Sequence, residues 1–224
     1  MKKLYFYICF FILLGGCIHR NPLSEMRFQT VMAQPYVIAS WYKINAPGKP
    51  VKFYIEGWGI QNNPNPDSEL VRNLVKGDDS PNVVYIALPC QYGMNVGCPD
   101  VGNVPIDETL VNSIKTVVQT MMKKARSEQM ILVGYDAGAE VATDLALMYR
   151  PYIRHLVTLG GIWEEEPERD ILRVAQTHYR GKRDEVAPVQ STPAVFPKES
   201  VVAVSWGSHT GGYWSVRKYI WNIR

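Results

Sequence analysis

The sequence predicts an α/β protein built on a doubly wound, mostly parallel sheet, with helices on both faces and no cap domain. Three observations predict it. Strand-like runs alternate with helical ones from Val37 onward, the order that produces a parallel sheet. A buried run, Met130–Tyr135, passes through Gly134-Tyr135-Asp136-Ala137-Gly138 straight into a helical stretch, Ala139–Tyr149. That stretch carries Ala142, Leu145, Ala146 and Tyr149 at i, i+3, i+4 and i+7. Finally, Asp136, Asp184 and His209 each follow a different strand-like run, at the carboxyl ends where such sheets place their sites.

The chain has 224 residues, 46% hydrophobic and 20% charged, the balance of one globular domain with a sizeable core. Its start reads as a leader. Lys2 and Lys3 precede the apolar run Leu4–Leu14, too short to span a bilayer but right for a secretory segment. The run ends in Leu14-Gly15-Gly16-Cys17, which resembles the bacterial lipobox. The resemblance implies cleavage before Cys17 and acylation of its thiol, so that lipid rather than a helix anchors the protein in the cell envelope. An ordinary signal peptide with an incidental cysteine is the plainer alternative. The expected division is therefore a leader at 1–16, a tether at 17–30 and one domain at 31–224. Losing Lys2 and Lys3 takes the formal charge from +3 to +1, which gives no reason to expect nucleic acid as a partner. The Arg180, Lys182, Arg183 cluster is broken by Gly181 and followed by Asp184 and Glu185, and reads as a solvated loop.

Taken in order, Val37–Tyr42 and Val51–Ile55 are strand-like, with Pro47-Gly48-Lys49-Pro50 between them suited to a hairpin. Asp67 or Ser68 caps a helix reaching about Lys76. Asn82–Leu88 is a buried strand ending at Pro89. Asp107 caps a long helix to Lys124, whose Leu110, Val111, Ile114, Val117, Val118, Met121 and Met122 form a core-facing stripe. Arg154–Leu159, Leu172–Tyr179 and Val201–Ser205 are the remaining strands, and Gly212–Ile223 is a closing helix. No internal repeat is visible. Cys90 and Cys98 lie eight apart in a loop-like stretch. In an exported protein they pair as a disulfide, with a metal site the weaker alternative, because no second pair or nearby histidine accompanies them.

Strand, Gly-x-nucleophile-x-Gly and helix form the nucleophile elbow of an α/β-hydrolase. The glycines are needed because the turn is sharp, and a Cβ at either flank would collide with the neighbouring strand or helix. The order nucleophile, acid, histidine matches that fold. Asp136 takes the elbow position, Asp184 the acid position ahead of its neighbour Glu185, and His209 the base position. Ala137 N–H and an N–H of Gly57 or Trp58 are the expected oxyanion donors. His19, His155 and His178 read as tether, surface or core residues.

Several stretches together resemble a family of bacterial exported α/β-hydrolases. They are Phe53-Tyr54-Ile55-Glu56-Gly57-Trp58-Gly59, Val84–Tyr92 with its Pro89-Cys90-Gln91-Tyr92 run, the elbow, Gly181–Pro188 and His209. The resemblance covers nearly all of the chain after the leader. It implies a single-domain serine hydrolase of ester-type substrates, with Cys90 and Cys98 bridged. The chain departs from the family pattern at three places. Trp58 stands for Asp, Leu88 for Arg, and Asp136 for the nucleophilic Ser.

Asp136 changes the expected chemistry. Carboxylate nucleophiles occur in this fold in hydrolases resembling haloalkane dehalogenases and epoxide hydrolases, where Asp attacks an sp³ carbon and the resulting ester is hydrolysed with histidine activating water. Attack on an ordinary ester would instead form a mixed anhydride. Only Ile162–Ile171 is available for a cap, and it carries five acids among ten residues. Two carboxylates beside His209 favour its imidazolium form. The expectation is a hydrolase of a small ester, epoxide or related electrophile, requiring no cofactor or metal. The rival reading is a catalytically degenerate envelope protein that binds without turnover.

Overall fold

The computed structural model describes residues 23–58, 68–99, 103–209 and 211–224. The leader, Cys17, His19, Gly59 and Asp67 lie outside them. Among the described residues eight strands form one sheet: β1 (Arg27–Ala33), β2 (Tyr36–Ile44), β3 (Val51–Ile55), β4 (Asn82–Ile86), β5 (Met130–Tyr135), β6 (Ile153–Leu159), β7 (Gln176–Gly181) and β8 (Val201–Val204). Their spatial order is β1-β2-β4-β3-β5-β6-β7-β8. β1 and β2 are antiparallel additions at one edge, and β3 to β8 run parallel.

The strands at the centre are buried on both faces, and alternation divides their side chains between two cores. Val51, Phe53 and Ile55 of β3, with Met130 and Leu132 of β5, pack under α1 (Glu108–Ala125) and α2 (Ala137–Met148). Tyr54, Ile131 and Val133 face the other way, toward Leu70, Leu74, Tyr213 and Ile220. α1 begins as expected, with Asp107 Oδ1 accepting the Leu110 N–H at 2.8 Å.

Four expectations need correction. Residues 27–30, expected in the tether, form the start of edge strand β1, and Leu23 before them is fully buried. The 27–33 run alternates exposed and buried positions, a weak signal beside the polar residues that precede it. β2 and β3 do not form a hairpin, because β4 lies between them. Asn82 of β4 fills the gap: its Oδ1 accepts from Asn45 and Ala46 N–H, and its Nδ2 donates to Ala46 and Lys49 carbonyls. β7 starts only at Gln176, since residues Arg169–Arg173 wind into a 3₁₀ turn that buries Ile171. The closing helix is shorter than expected, a 3₁₀ turn at Tyr213–Val216 followed by α3 at Arg217–Trp221. Buried Lys52 ends it by donating to the Ile220 and Trp221 carbonyls at 3.0 and 3.1 Å. Asp78 Oδ2 sits 3.1 Å from the same ammonium and also accepts from Tyr54 OH.

The helix expected to reach Lys76 is present after a Ser68 cap, whose Oγ accepts the Val71 N–H. Its last turn, Val71–Val75, is widened, with Lys76 N–H bonding the Val71 carbonyl. Cys90 and Cys98 are bridged, with Cα atoms 5.7 Å apart. Residues 160–175, between β6 and β7, contain no more than the one short 3₁₀ turn, so no cap domain is inserted there.

The elbow depends on both of its glycines. A Cβ on Gly134 would meet the Gly138 carbonyl and lie 2.6 Å from Ala139 Cα; one on Gly138 would meet the Ile55 and Glu56 carbonyls. All of these are backbone atoms that cannot step aside. Gly134→Ala is expected to cost about 1–3 kcal/mol, read as a lowered midpoint in chemical denaturation.

Candidate active site

β5 ends by driving the chain into a conformation that side chains rarely adopt. Asp136 has φ 52° and ψ −124°, held by its N–H on the Leu159 carbonyl and by the Ala139 N–H on its own carbonyl. This strain aims the Asp136 side chain at the carboxyl end of the sheet. α2 starts at Ala137, two residues earlier than expected, so the Ala137 N–H is among the four that no intrahelical carbonyl can accept.

The structure brings Asp136, Asp184 and His209 together. His209 Nε2 is 3.2 Å from Asp136 Oδ1, and Nδ1 is 3.3 Å from Asp184 Oδ2. An ionised carboxylate only accepts, so a doubly protonated imidazolium satisfies both contacts. Asp184 is 3% exposed, and its Oδ1 accepts from the Val186 and Ala187 N–H groups at 3.0 and 2.7 Å. Glu185, the competing acid, points into solvent. His155 and His178 are away from this cluster, bonded to Thr177 and to Thr158 and Gln176. Burial pushes His178 down to about 3, with help from the Arg180 charge.

The loop after β3 separates the two expected oxyanion donors. Trp58 N–H donates to Asp136 Oδ2 at 2.9 Å. Gly57 N–H does not face the site; it donates to Glu56 Oε1 at 3.0 Å. Gly57 serves by its small size, since a Cβ there would lie 2.5 Å from Asp136 Cβ and 2.6 Å from Asp136 Oδ2. Asp136 itself therefore engages both the Trp58 amide and the imidazole.

Polar groups missed in the sequence hold this loop. Gln91 Nε2 donates to the Gly57 carbonyl at 2.7 Å, while Gln91 Oε1 accepts the Leu88 N–H. Buried Glu56 also accepts from Ser68 and from Tyr85 OH, which meets Tyr92 OH at 2.7 Å. Burial raises the Glu56 carboxyl above its usual range, against these hydrogen bonds, and the Asp136 charge adds to the rise. The Pro-Cys-Gln-Tyr run supplies two members of this network, so its specificity was a usable signal. The histidine loop has its own supports. Tyr135 OH donates to the His209 carbonyl at 2.7 Å, and Glu69 Oε1 accepts the Gly212 N–H at 2.9 Å.

No protein-family model matches the chain, and no curated protein sequence does. Solved structures match nearly its whole length. Est1E from Butyrivibrio proteoclasticus superimposes with a TM-score of 0.64 at 11% identity, covering 87% of this chain and 95% of its own. An alpha-beta serine hydrolase homologue from Coxiella burnetii gives 0.61 at 15% identity, covering 87% and 93%. XC6422 from Xanthomonas campestris, described as an α/β serine hydrolase without lid, gives 0.59 at 14%, covering 88% and 95%. The fold is that of the α/β-hydrolases. Within it, the chemistry is decided by the residues at the site.

Beside α2 lies an acidic cavity of about 420 Å³, whose lining includes Glu140, Asp144, Glu164 and Glu165 next to Trp163. Burial first, and then Asp144, push Glu140 up to about 7; burial and Glu168 push Asp144 up to about 6. The folded state therefore keeps the Glu140 proton to higher pH than the unfolded chain does. Its contribution is neutral at acid pH and becomes destabilising as pH rises from the ordinary carboxyl range through about 7. Glu140→Gln is expected to leave thermal stability unchanged at acid pH. In mildly alkaline buffer it should raise stability by about 1 kcal/mol, a figure discounted for the half-exposed position.

Proposed function

We propose that the chain is a hydrolase of small neutral electrophiles, epoxides foremost, acting through a covalent ester on Asp136. One observation carries this reading: the two Asp136 oxygens have different environments. Oδ2 is held by the Trp58 N–H, and Oδ1 faces His209 Nε2. The held oxygen is suited to become the ester carbonyl, with Trp58 and Ala137 N–H groups ready for the oxyanion. The other is the nucleophile.

In the first step Oδ1 attacks an sp³ carbon. The carbon–oxygen bond of the epoxide breaks, and the alkoxide takes the proton from His209 Nε2. Neutral His209 then removes a proton from water, whose oxygen adds to Asp136 Cγ. The tetrahedral oxyanion collapses, and the departing alkoxide takes the proton back from His209. The Asp136 carboxyl returns its own proton to the imidazole, restoring the starting ion pair. Asp184 holds the imidazole through Nδ1 in every step. Ordinary esters fit less well, because their attack product on Asp136 is an anhydride.

A degenerate scaffold is favoured by a different aspect of the same contacts. The amide and imidazole that a serine hydrolase would use are both engaged by Asp136. In that reading the chain binds at the cell envelope without turnover. The Leu14–Cys17 lipobox supports lipid anchoring there in either case. Among the described residues no helix is long and apolar enough to cross a membrane.

The test is turnover of an epoxide, a haloalkane and p-nitrophenyl esters by wild type and variants. Asp136→Asn should lose epoxide turnover by about a thousandfold or more, and His209→Gln should accumulate the ester from the haloalkane, whose halide leaves without needing a proton. Wild type turning over in heavy-oxygen water should acquire the label in the Asp136 carboxyl, read by peptide mass spectrometry. Esterase activity appearing only in Asp136→Ser, with no labelling of wild type, would establish the degenerate scaffold instead.

A further inference from the structure

Arg180, on β7, is the largest fully buried side chain of the described residues, with 0% exposure. Aromatic rings and backbone carbonyls surround it. The guanidinium lies 4.9 Å from the centre of the Trp163 ring, and Trp163 packs edge-on against Phe196, which stacks on His178. Nη1 donates to the Gly161 and Ala187 carbonyls, while Nε and Nη2 have no partner among the described residues. Burying a cation costs several kcal/mol, and an apolar side chain of similar volume is commonly as good or better for stability. Packing alone therefore does not account for this arginine.

Its position does. Ala187 is held from both sides: its carbonyl accepts from Arg180, and its N–H donates to Asp184 Oδ1. The guanidinium is thus two links from the acid of the site. Burial pulls Arg180 below its usual range, and the Tyr213 hydroxyl and Asp184 carboxylate oppose that pull. Burial and the Asp184 charge both push the buried Tyr213 hydroxyl above its usual range, against a hydrogen bond with the Gly181 backbone. His178, the other titratable group beside Arg180, stays neutral. Arg180 and Asp184 are thus joined through Ala187, which hydrogen-bonds to both.

We propose that Arg180 is a positioning residue that acts on His209 through Asp184, as the buried counter-charge of the acid. With Asp in the elbow, His209 lies between two carboxylates. Arg180 brings the formal count of Asp136, Asp184, His209 imidazolium and itself to zero. It partly offsets the pull of Asp184 on the imidazole, so His209 can release its proton to substrate. The inference rests on Asp184 and His209 working as a pair, but its test needs no turnover and so can fail separately from the hydrolase reading.

The full chain is compared as wild type, Arg180→Met and Arg180→Lys, following the His209 ring by NMR titration, with His209→Gln identifying its signal. The Asp184 turn keeps its own N–H bonds in Arg180→Met, so losing the charge should raise the His209 midpoint by about one pH unit, a tenfold gain in proton affinity. Arg180→Lys, which keeps the charge, should return it close to wild type. An unchanged midpoint in Arg180→Met, or a lowered one, overturns the proposal. Melting temperatures give a second measure. Arg180→Met with Asp184→Asn should lose less than the sum of the single losses, by about 3 °C or more. If Arg180→Met alone does not fold, the double variant should recover folding; additive losses, or a double variant that also fails to fold, overturn the proposal.

Discussion

The molecule depends on one tight bend. β5 must turn into α2 within a few residues while the backbone of β3 passes directly against it, and only glycine at 134 and 138 permits that approach. The result is a residue at φ 52° whose side chain cannot turn back into the sheet. The same crowding explains Gly57, which yields its side-chain space to Asp136. Strain at one position thus determines where a carboxylate emerges, which amide can reach it, and where an imidazole must arrive.

The surrounding structure stabilises that arrangement with polar groups in places where apolar ones would pack as well. Glu56, Ser68, Tyr85, Tyr92 and Gln91 connect the loop after β3 to β4 and the residues after it. Tyr135 and Glu69 do the same for the histidine loop. Acid loop and histidine loop also touch at Gly181 and Gly207, where added side chains would meet backbone. Each loop carries a functional group and is restrained by bonds to buried residues, so the geometry is preorganised. The concentration of carboxylates has an electrostatic consequence. Glu56, Glu69 and Asp136 all act on the Tyr135 hydroxyl, which burial already pushes far above its usual range.

Asp136 separates this chain from the serine pattern its motifs resemble. A serine in the elbow would leave the Trp58 amide and the imidazole free for substrate. The carboxylate engages both.

The class of fold, and the strand ends that carry Asp136, Asp184 and His209, were legible in the order of residues. Periodicity and glycine spacing are local signals, and the elbow, α1 and the parallel strands are local consequences of them. Tertiary structure decided the rest. β4 entered between β2 and β3, β1 formed an edge, and Trp58 rather than Gly57 turned its N–H to the carboxylate. Arg180 looked like part of a solvated basic loop, yet β7 is buried on both faces from His178 to Gly181, which puts Arg180 inside, against Trp163. These outcomes depend on which distant segments meet, and burial of a charge or the direction of one amide is set by those meetings. No run of neighbouring residues carries that information.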